Sequence, residues 1–338
     1  MRSSSVKKVC KGRGAVSNPP GRFEKVTTWA VGDDEEGGSD GGAVVVTQLG
    51  VDRTRSIITT NKSPDVAFDQ SINPYLGCEH GCVYCYARPC HNYLGLSAGK
   101  DFESRIFVKP EAGILLRQEL SRPNYTCRTI ALGTNTDPYQ PIERKALITR
   151  SILEVLSEFN HPVSIVTKSA RVTRDRNLLA DMARRRLIKV FLSVTTLSRG
   201  LAMKLEPRAS TPESRLSAVR ELCAAGIPTG VMVAPVIPGL TDTEIESILR
   251  ASATAGAREC GYAILRLPHE VKDLVAEWLA VHEPYKLSRV MSLVREVHGG
   301  RVYNANFGVR QKGSGQYAKM IADRFHNAVR RFQLNVDR

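Results

Sequence analysis

The chain has 338 residues, 42% of them apolar, and its 48 Lys+Arg against 34 Asp+Glu give a formal net charge of +14. That composition excludes collagenous, coiled-coil and wholly disordered chains, and the length suits one large α/β domain with appendages. No window approaches 18 consecutive apolar residues, and residues 1–30 lack the apolar stretch and cleavage site of a secretion signal, so a soluble cytosolic protein with no membrane partner is expected.

Residues 1–55 read as a largely disordered or extended leader. Pro19-Pro20-Gly21 interrupts it, and residues 32–42 are almost entirely Gly, Ser and acidic, with too little apolar surface to offset the entropy of ordering. Over residues 56–281, short apolar runs alternate with amphipathic stretches. Strands are expected at Ile72–Leu76, Thr129–Gly133, Val163–Thr167, Val190–Thr195, Gly230–Ala234 and Tyr262–Leu267. Helices are expected at Ile142–Phe159, Arg174–Arg185, Pro212–Ala225 and Thr241–Ala255, the last opening on a capping box, Thr241-Asp242-Thr243-Glu244. Repeated strand–helix–strand order implies parallel strands with right-handed crossovers. Six such units predict an α/β fold, a partial (β/α)6 barrel, with a doubly wound sheet as the competing architecture. Residues 282–338 leave that rhythm and read as a C-terminal α+β extension packing on the barrel: helix Tyr285–Val297, short strand Arg301–Asn304, a flexible or lid-like turn Gly308–Gly315 and helix Gln316–Phe332.

The positive charge belongs to the body. Residues 1–60 carry nine Lys/Arg against seven Asp/Glu, whereas residues 282–338 carry eleven against four, half of the net total. Lys319, Arg330 and Arg331, with Arg184, Arg185 and Arg186, are candidates for a surface that tracks the phosphates of DNA or RNA, and a solvated basic face is the plain alternative. Aromatic residues make up only 6% of the chain, too few for a stacking platform that takes single strands irrespective of sequence.

The sharpest feature follows the first expected strand: Gly77-Cys78-Glu79-His80-Gly81-Cys82-Val83-Tyr84-Cys85-Tyr86. Three thiolates this close, on a loop turned by two glycines, can meet one iron–sulfur cube and leave one iron of a [4Fe–4S] cluster without a protein ligand. The competing reading is a non-catalytic module that holds an electron-transfer iron–sulfur cluster or a zinc ion, the zinc site being completed by His80, Cys90 or His91. Against zinc, no second C-x2-C pair exists, and Cys10, Cys127, Cys223 and Cys260 are isolated. Cys90 reads either as an ordinary thiol or as a redox thiol beside the site.

A C-x3-C-x2-C motif with an aromatic residue before its third cysteine, placed after the first strand of a βα series, resembles the radical S-adenosylmethionine (SAM) superfamily. Asn73-Pro74-Tyr75, Cys85-Tyr86-Ala87-Arg88, the run from Thr136 to Glu143, Thr167-Lys168-Ser169 and the run from Pro235 to Gly239 are similar to its spore photoproduct lyase-related, DNA repair photolyase-like branch. The resemblance spans roughly residues 55–270. It implies that Cys78, Cys82 and Cys85 hold a [4Fe–4S] cluster and that SAM fills the open iron. Reduction would then cleave SAM to a 5′-deoxyadenosyl radical that abstracts hydrogen from the substrate. The resemblance also implies Tyr84 against the adenine of SAM, Lys168 and Ser193 at its ribose and carboxylate, and Thr134 and Asn135 at its amino group, with Glu206 and Arg208 as further polar contacts. A low-potential electron donor such as a flavodoxin or ferredoxin is implied as partner. Each residue has a plain counterpart: Lys168 as a solvated ammonium, Ser193 as a strand-end hydroxyl, Asp137-Pro138 as an ordinary turn. Thr134 stands where the lyases carry a hydrogen-donating cysteine, and a threonine O–H bond is too strong for that task. The expected substrate is therefore a different one, a nucleic acid in the first reading and a peptide or small molecule in the second.

Overall fold

Alternation sets the strands. In the run Val163–Thr167, Val163, Ile165 and Thr167 are buried while Ser164 and Val166 are partly exposed, the period-2 pattern of a strand on a core. A computed structural model describes residues 13–23 and 46–336. Its strands are β1 (Gln48–Val51), β2 (Thr59–Thr60), β3 (Gln70–Ile72), β4 (Tyr75–Leu76), β5 (Arg105–Val108), β6 (Ile130–Leu132), β7 (Val163–Thr167), β8 (Ile188–Ser193), β9 (Thr229–Val236) and β10 (Glu259–Ile264). Strands β3 and β6 to β10 lie side by side in chain order, all parallel, with β2 antiparallel on the β3 edge. A doubly wound sheet reverses its order at a switch point. This one never does, and the architecture is the partial barrel.

Helices Ile148–Glu158, Arg176–Arg184, Pro212–Ala224, Ile245–Thr254 and Gly315–Arg331 complete the layer. The core joins Ile165, Val190 and Val231 of the strands to Ile152, Leu179, Leu249 and Phe325 of the helices. Thr211 caps the third of these helices by accepting the Ser214 N–H (3.3 Å), with Pro212 as the first helical residue. A second core lies over the strand ends, where Tyr84 and Leu205 pack with Trp278 of helix Val271–His282 and Val290 of helix Leu287–Val297.

Several expectations are corrected. The first expected strand splits at Asn73-Pro74, because Pro74 has no N–H for a ladder. Its first half joins the barrel, and β4 pairs with β5 in a separate sheet of order β1-β5-β4. The helix expected over 142–159 breaks at Leu147 (φ 52°) into Glu143–Ala146 and Ile148–Glu158. No capping box forms at Thr241, whose Oγ1 accepts the Ile237 N–H (2.9 Å), while Glu244 accepts from Thr196 and Leu197. Residues 301–304 form no strand. Helices Lys100–Ser104, Ala112–Leu120 and Val271–His282 were not foreseen. Inside the expected leader, Ala15 and Val16 are buried and β1 pairs with β5. Residues 1–12 and 24–45, with Cys10 and the acidic glycine tract, lie outside the described residues.

The turn expected to be flexible is tied at both ends. On the β10 side Gln311 O accepts the Ile264 N–H (2.7 Å). On the β2–β3 side Asp65 accepts the Gly308 N–H (2.6 Å) and pairs with Arg310, which also bonds Ser63. The segment therefore spans the two edges of the seven-stranded sheet and closes the gap of the partial barrel, covering edges that would otherwise be open.

One ion pair fixes the cysteine loop. Arg88 and Glu103 are both fully buried. Arg88 donates from Nε to Cys82 O (2.9 Å) and from Nη1 to Ala98 O (3.0 Å) and Gly99 O (2.9 Å), while Nη2 pairs with Glu103. The Glu103 carboxylate accepts the N–H groups of Gly14 (2.9 Å) and Ala15 (2.8 Å). Gly14 has no room for a side chain, since a Cβ there would stand 1.8 Å from Gly81 O. Glu103→Gln leaves Arg88 charged and unpaired, so urea unfolding of the variant is expected to show a loss of about 3–5 kcal/mol. The double variant Arg88→Met/Glu103→Leu should recover part of it. An unchanged midpoint for Glu103→Gln contradicts this account.

Candidate functional site

The cysteine loop leaves β4 and is held on all sides. Cys78 N–H bonds Phe102 O (2.9 Å), and the buried Gln140 amide donates to Gly77 O (3.2 Å) and accepts the Glu79 N–H (2.8 Å). Glu79 in turn accepts from Thr47 (2.8 Å) and the Ile142 N–H (2.6 Å) and pairs with Arg208 (3.0 Å). Cys78 and Cys82 are buried and Cys85 is half-buried. Burial and then Asp137 push the Cys78 thiol well up, and burial with Glu206 pushes Cys82 up to about 12 against the pull of Lys168. Thiols of this kind give up their protons to a cation bound at sulfur. The donor set accordingly fits a group that takes three thiolates from one loop.

The zinc set is not assembled. His91 Nε2 faces Arg105 O at 2.9 Å, Cys90 Sγ accepts from Asn135 Nδ2 at 3.6 Å, and His80 Nδ1 lies 3.3 Å from Asp137. Among the described residues, no three His, Cys, Asp or Glu side chains are grouped to hold a single ion. Each proposed fourth ligand is engaged in fixing the loop or its surroundings.

The ends of the barrel strands surround the loop. After β6, Gly133 (φ 88°) brings the chain against β7, where a Cβ would stand 2.1 Å from Val166 O. Asn73 Oδ1 then accepts the N–H groups of Asn135 (3.0 Å) and Thr136 (3.4 Å) and the Thr134 hydroxyl (3.4 Å). Asp137 accepts from Tyr139 N–H (2.9 Å), the turn expected there, but also from Thr167 (2.6 Å) and Lys168 N–H (2.7 Å). Burial opposes its ionisation, yet the adjacent His80 and these donors hold its carboxyl at about 2.

Across the mouth, Glu206 and Arg215 form a second buried pair, with Arg215 also donating to Ser193 O (2.9 Å) and Ser210 O (2.8 Å). Tyr84 donates its hydroxyl to Glu206, which also accepts from Thr195 (2.7 Å). Burial again opposes the charge, and Arg215 with Lys168 outweighs it, holding Glu206 at about 2. Lys168 Nζ stands 5.8 Å from the centre of the Tyr84 ring. Burial disfavours this ammonium, but Cys82 and Glu206 reverse the balance and raise its pKa.

Tyr84, Lys168, Ser193 and Glu206 thus form one group, and Thr134 and Asn135 form another. Between them lies Tyr86, whose hydroxyl donates to Thr134 O and whose ring carries the Arg266 guanidinium 4.0 Å from its centre. Arg208 belongs elsewhere, bonded to Thr47, Glu79 and His80 O behind the loop. Arg88, Glu103, Arg215 and Arg266 were missed as site residues. The signal for the first was a charged residue three positions after the motif, while the others lack any sequence mark. The expected basic surface is divided: helices Arg176–Arg184 and Gly315–Arg331 are separated by Pro212–Ala224 and Ile245–Thr254, and Arg184 and Arg185 pair with Asp181.

No helix among the described residues is long and apolar enough to cross a membrane. A family model described as the radical SAM superfamily matches residues 72–251, more than half of the chain. The uncharacterized protein Rv2578c of Mycobacterium tuberculosis is 38% identical over 240 residues, covering 70% of this chain and 71% of that one. An uncharacterized protein of Methanocaldococcus jannaschii, MJ0683, is 32% identical over 176 residues, 51% of this chain and 62% of its own. Among solved structures, spore photoproduct lyase with bound AdoMet and dinucleoside spore photoproduct superposes with a TM-score of 0.57 at 17% identity, covering 84% of this chain and 78% of that one. A partial barrel, a three-cysteine loop at its strand ends and the family match agree: this chain belongs to the radical SAM superfamily, enzymes that use a [4Fe–4S] cluster and S-adenosylmethionine.

Proposed function

We propose that the protein is a radical SAM enzyme acting on a nucleic acid, with Cys78, Cys82 and Cys85 as the cluster ligands. The observation that carries this reading is the immobilised three-thiol loop at the carboxyl ends of parallel strands, where βα architectures bind their ligands. Held by Cys78, Cys82 and Cys85, a [4Fe–4S] cluster would supply the one-electron reduction of SAM on which radical chemistry depends. The rest is the work of the chain. Lys168 offers a positive charge to the SAM carboxylate, Ser193 and Glu206 offer polar contacts on the same side, and the Tyr84 ring offers a flat face to adenine. Thr134 and Asn135, set by Asn73, take the amino group. Arg208 acts through Glu79 on the loop. The second core, with Leu205, Ile237, Leu265 and Trp278, walls the site from water, which a radical requires.

The nucleic-acid reading draws on the net charge of +14 and on the shared fold of spore photoproduct lyase, whose structure contains a dinucleoside photoproduct. A base inside a duplex would have to leave the stack to reach this mouth. The enzyme needs a reductant, and we propose a flavodoxin or ferredoxin in the cytoplasm.

Three measurements test the proposal. After anaerobic reconstitution, the wild type should bind iron and sulfide and release 5′-deoxyadenosine on reduction, and Cys82→Ala should do neither. Stoichiometric zinc without SAM cleavage contradicts it. Lys168→Met should bind SAM about tenfold more weakly, the scale of one charge-assisted hydrogen bond, and undiminished affinity removes that assignment. DNA or RNA binding should fall steeply as salt rises. No binding at low salt removes the substrate class while leaving the radical chemistry intact.

A further inference from the structure

Arg266 lies two residues beyond β10, on the opposite side of the mouth from the β6 loop. Its guanidinium carbon is 4.0 Å from the centre of the Tyr86 ring, and Tyr86 follows the cluster cysteine Cys85 directly. The ring holds one face of the guanidinium and the Tyr86 hydroxyl takes one of its N–H groups, which leaves the other N–H groups of the guanidinium to donate. Tyr86 is itself fixed through its hydroxyl to Thr134 O, yet 41% of its surface is exposed. The pair therefore stands at an open part of the mouth.

The carboxylates around the mouth have partners of their own. Asp65 feels the Arg266 charge but is bonded to Arg310 and the Gly308 N–H. Glu270 pairs with Arg22 (2.7 Å), Glu206 with Arg215, and Asp137 with His80. Among the described residues, Arg266 has no ion-pair partner, and Tyr86 feels the charge of Lys168 as well as that of Arg266. A half-buried guanidinium without a counter-ion is poorly solvated and gains from an incoming anion. The segment bonded to Asp65 closes the side of the barrel, so this anion arrives at the strand ends.

We infer that Arg266 is the substrate-recognition residue of the site, receiving a phosphodiester oxyanion of the nucleic acid beside Cys85. This rests on the nucleic-acid reading above. A phosphodiester fits better than an acidic side chain because the body of the protein is basic and a stacked guanidinium can grip two phosphate oxygens at once.

The test uses the full chain, reconstituted anaerobically, with a fluorescent oligothymidylate hexamer and an acidic hexapeptide as probes. For Arg266→Gln, hexamer affinity is expected to fall about tenfold, and the slope of log affinity against log salt should drop by about 0.7, one phosphate contact on a single strand. Arg266→Lys should restore the slope with only part of the affinity. SAM affinity, measured by equilibrium dialysis, should change less than twofold in both variants. A fall in SAM affinity equal to the fall in hexamer affinity places Arg266 in the cofactor site and overturns the inference. Unchanged hexamer binding, an unchanged slope, or tighter binding of the peptide than the hexamer by the wild type also overturns it. Failure of the radical reading would appear separately, as absence of 5′-deoxyadenosine from the reduced wild type.

Discussion

Arg88 and Glu103 have left water entirely, and each is tolerable only because the other is there with backbone groups to satisfy what remains. Those groups come from three separate stretches, the cysteine loop and residues 98–99 on either side of Arg88 and residues 14–15 far from it in sequence. The pair therefore converts a flexible, glycine-bearing loop into a fixed one. Three cysteine positions depend on it, and with them the place where any cluster-bound substrate must meet the chain. A hydrophobic replacement would fill the space, but it would not select which carbonyls and N–H groups converge there.

A second electrostatic layer sits above the first. Asp137 and Glu206 are buried carboxylates held ionised by specific cations and donors, and each joins a strand end to the cysteine loop through His80 or Tyr84. The mouth is thus built from compensated charges, Lys168 against Glu206 among them, and Arg266 on the Tyr86 ring is set apart from them by having no ion-pair partner among the described residues. Closure of the barrel gap by the Asp65–Arg310 contact adds a spatial constraint: chemistry and entry are both confined to the strand ends.

The barrel was legible because its strands carry their burial in period-2 runs and their order in the chain equals their order in the sheet. Val163–Thr167 shows this most cleanly. The cysteine loop was legible because spacing alone brings three thiols together. The rest was not, for physical reasons. Pro74 ended a strand within an apolar run, and Leu147 adopted a left-handed turn inside a helical pattern. Nothing in the sequence marked Arg215 as the partner of Glu206, because only tertiary contacts bring the two together and bury them. The turn at residues 308–315 looked flexible because its partners, Asp65 and Ser63, lie more than two hundred residues away. Basic residues gathered in sequence at 184–186 and 319–331 were kept apart by the helices between them.

The central claim is that the protein sets the geometry of the cysteine loop before any cluster is bound. Hydrogen exchange on the apo protein tests it most directly, read at the Cys78 and Gly14 amides, which bond Phe102 O and Glu103. The account predicts slow exchange at both in the wild type and fast exchange at both in Glu103→Gln. Fast exchange in the wild-type apo protein, becoming slow only after reconstitution, would mean that the cluster organises the loop and would contradict it.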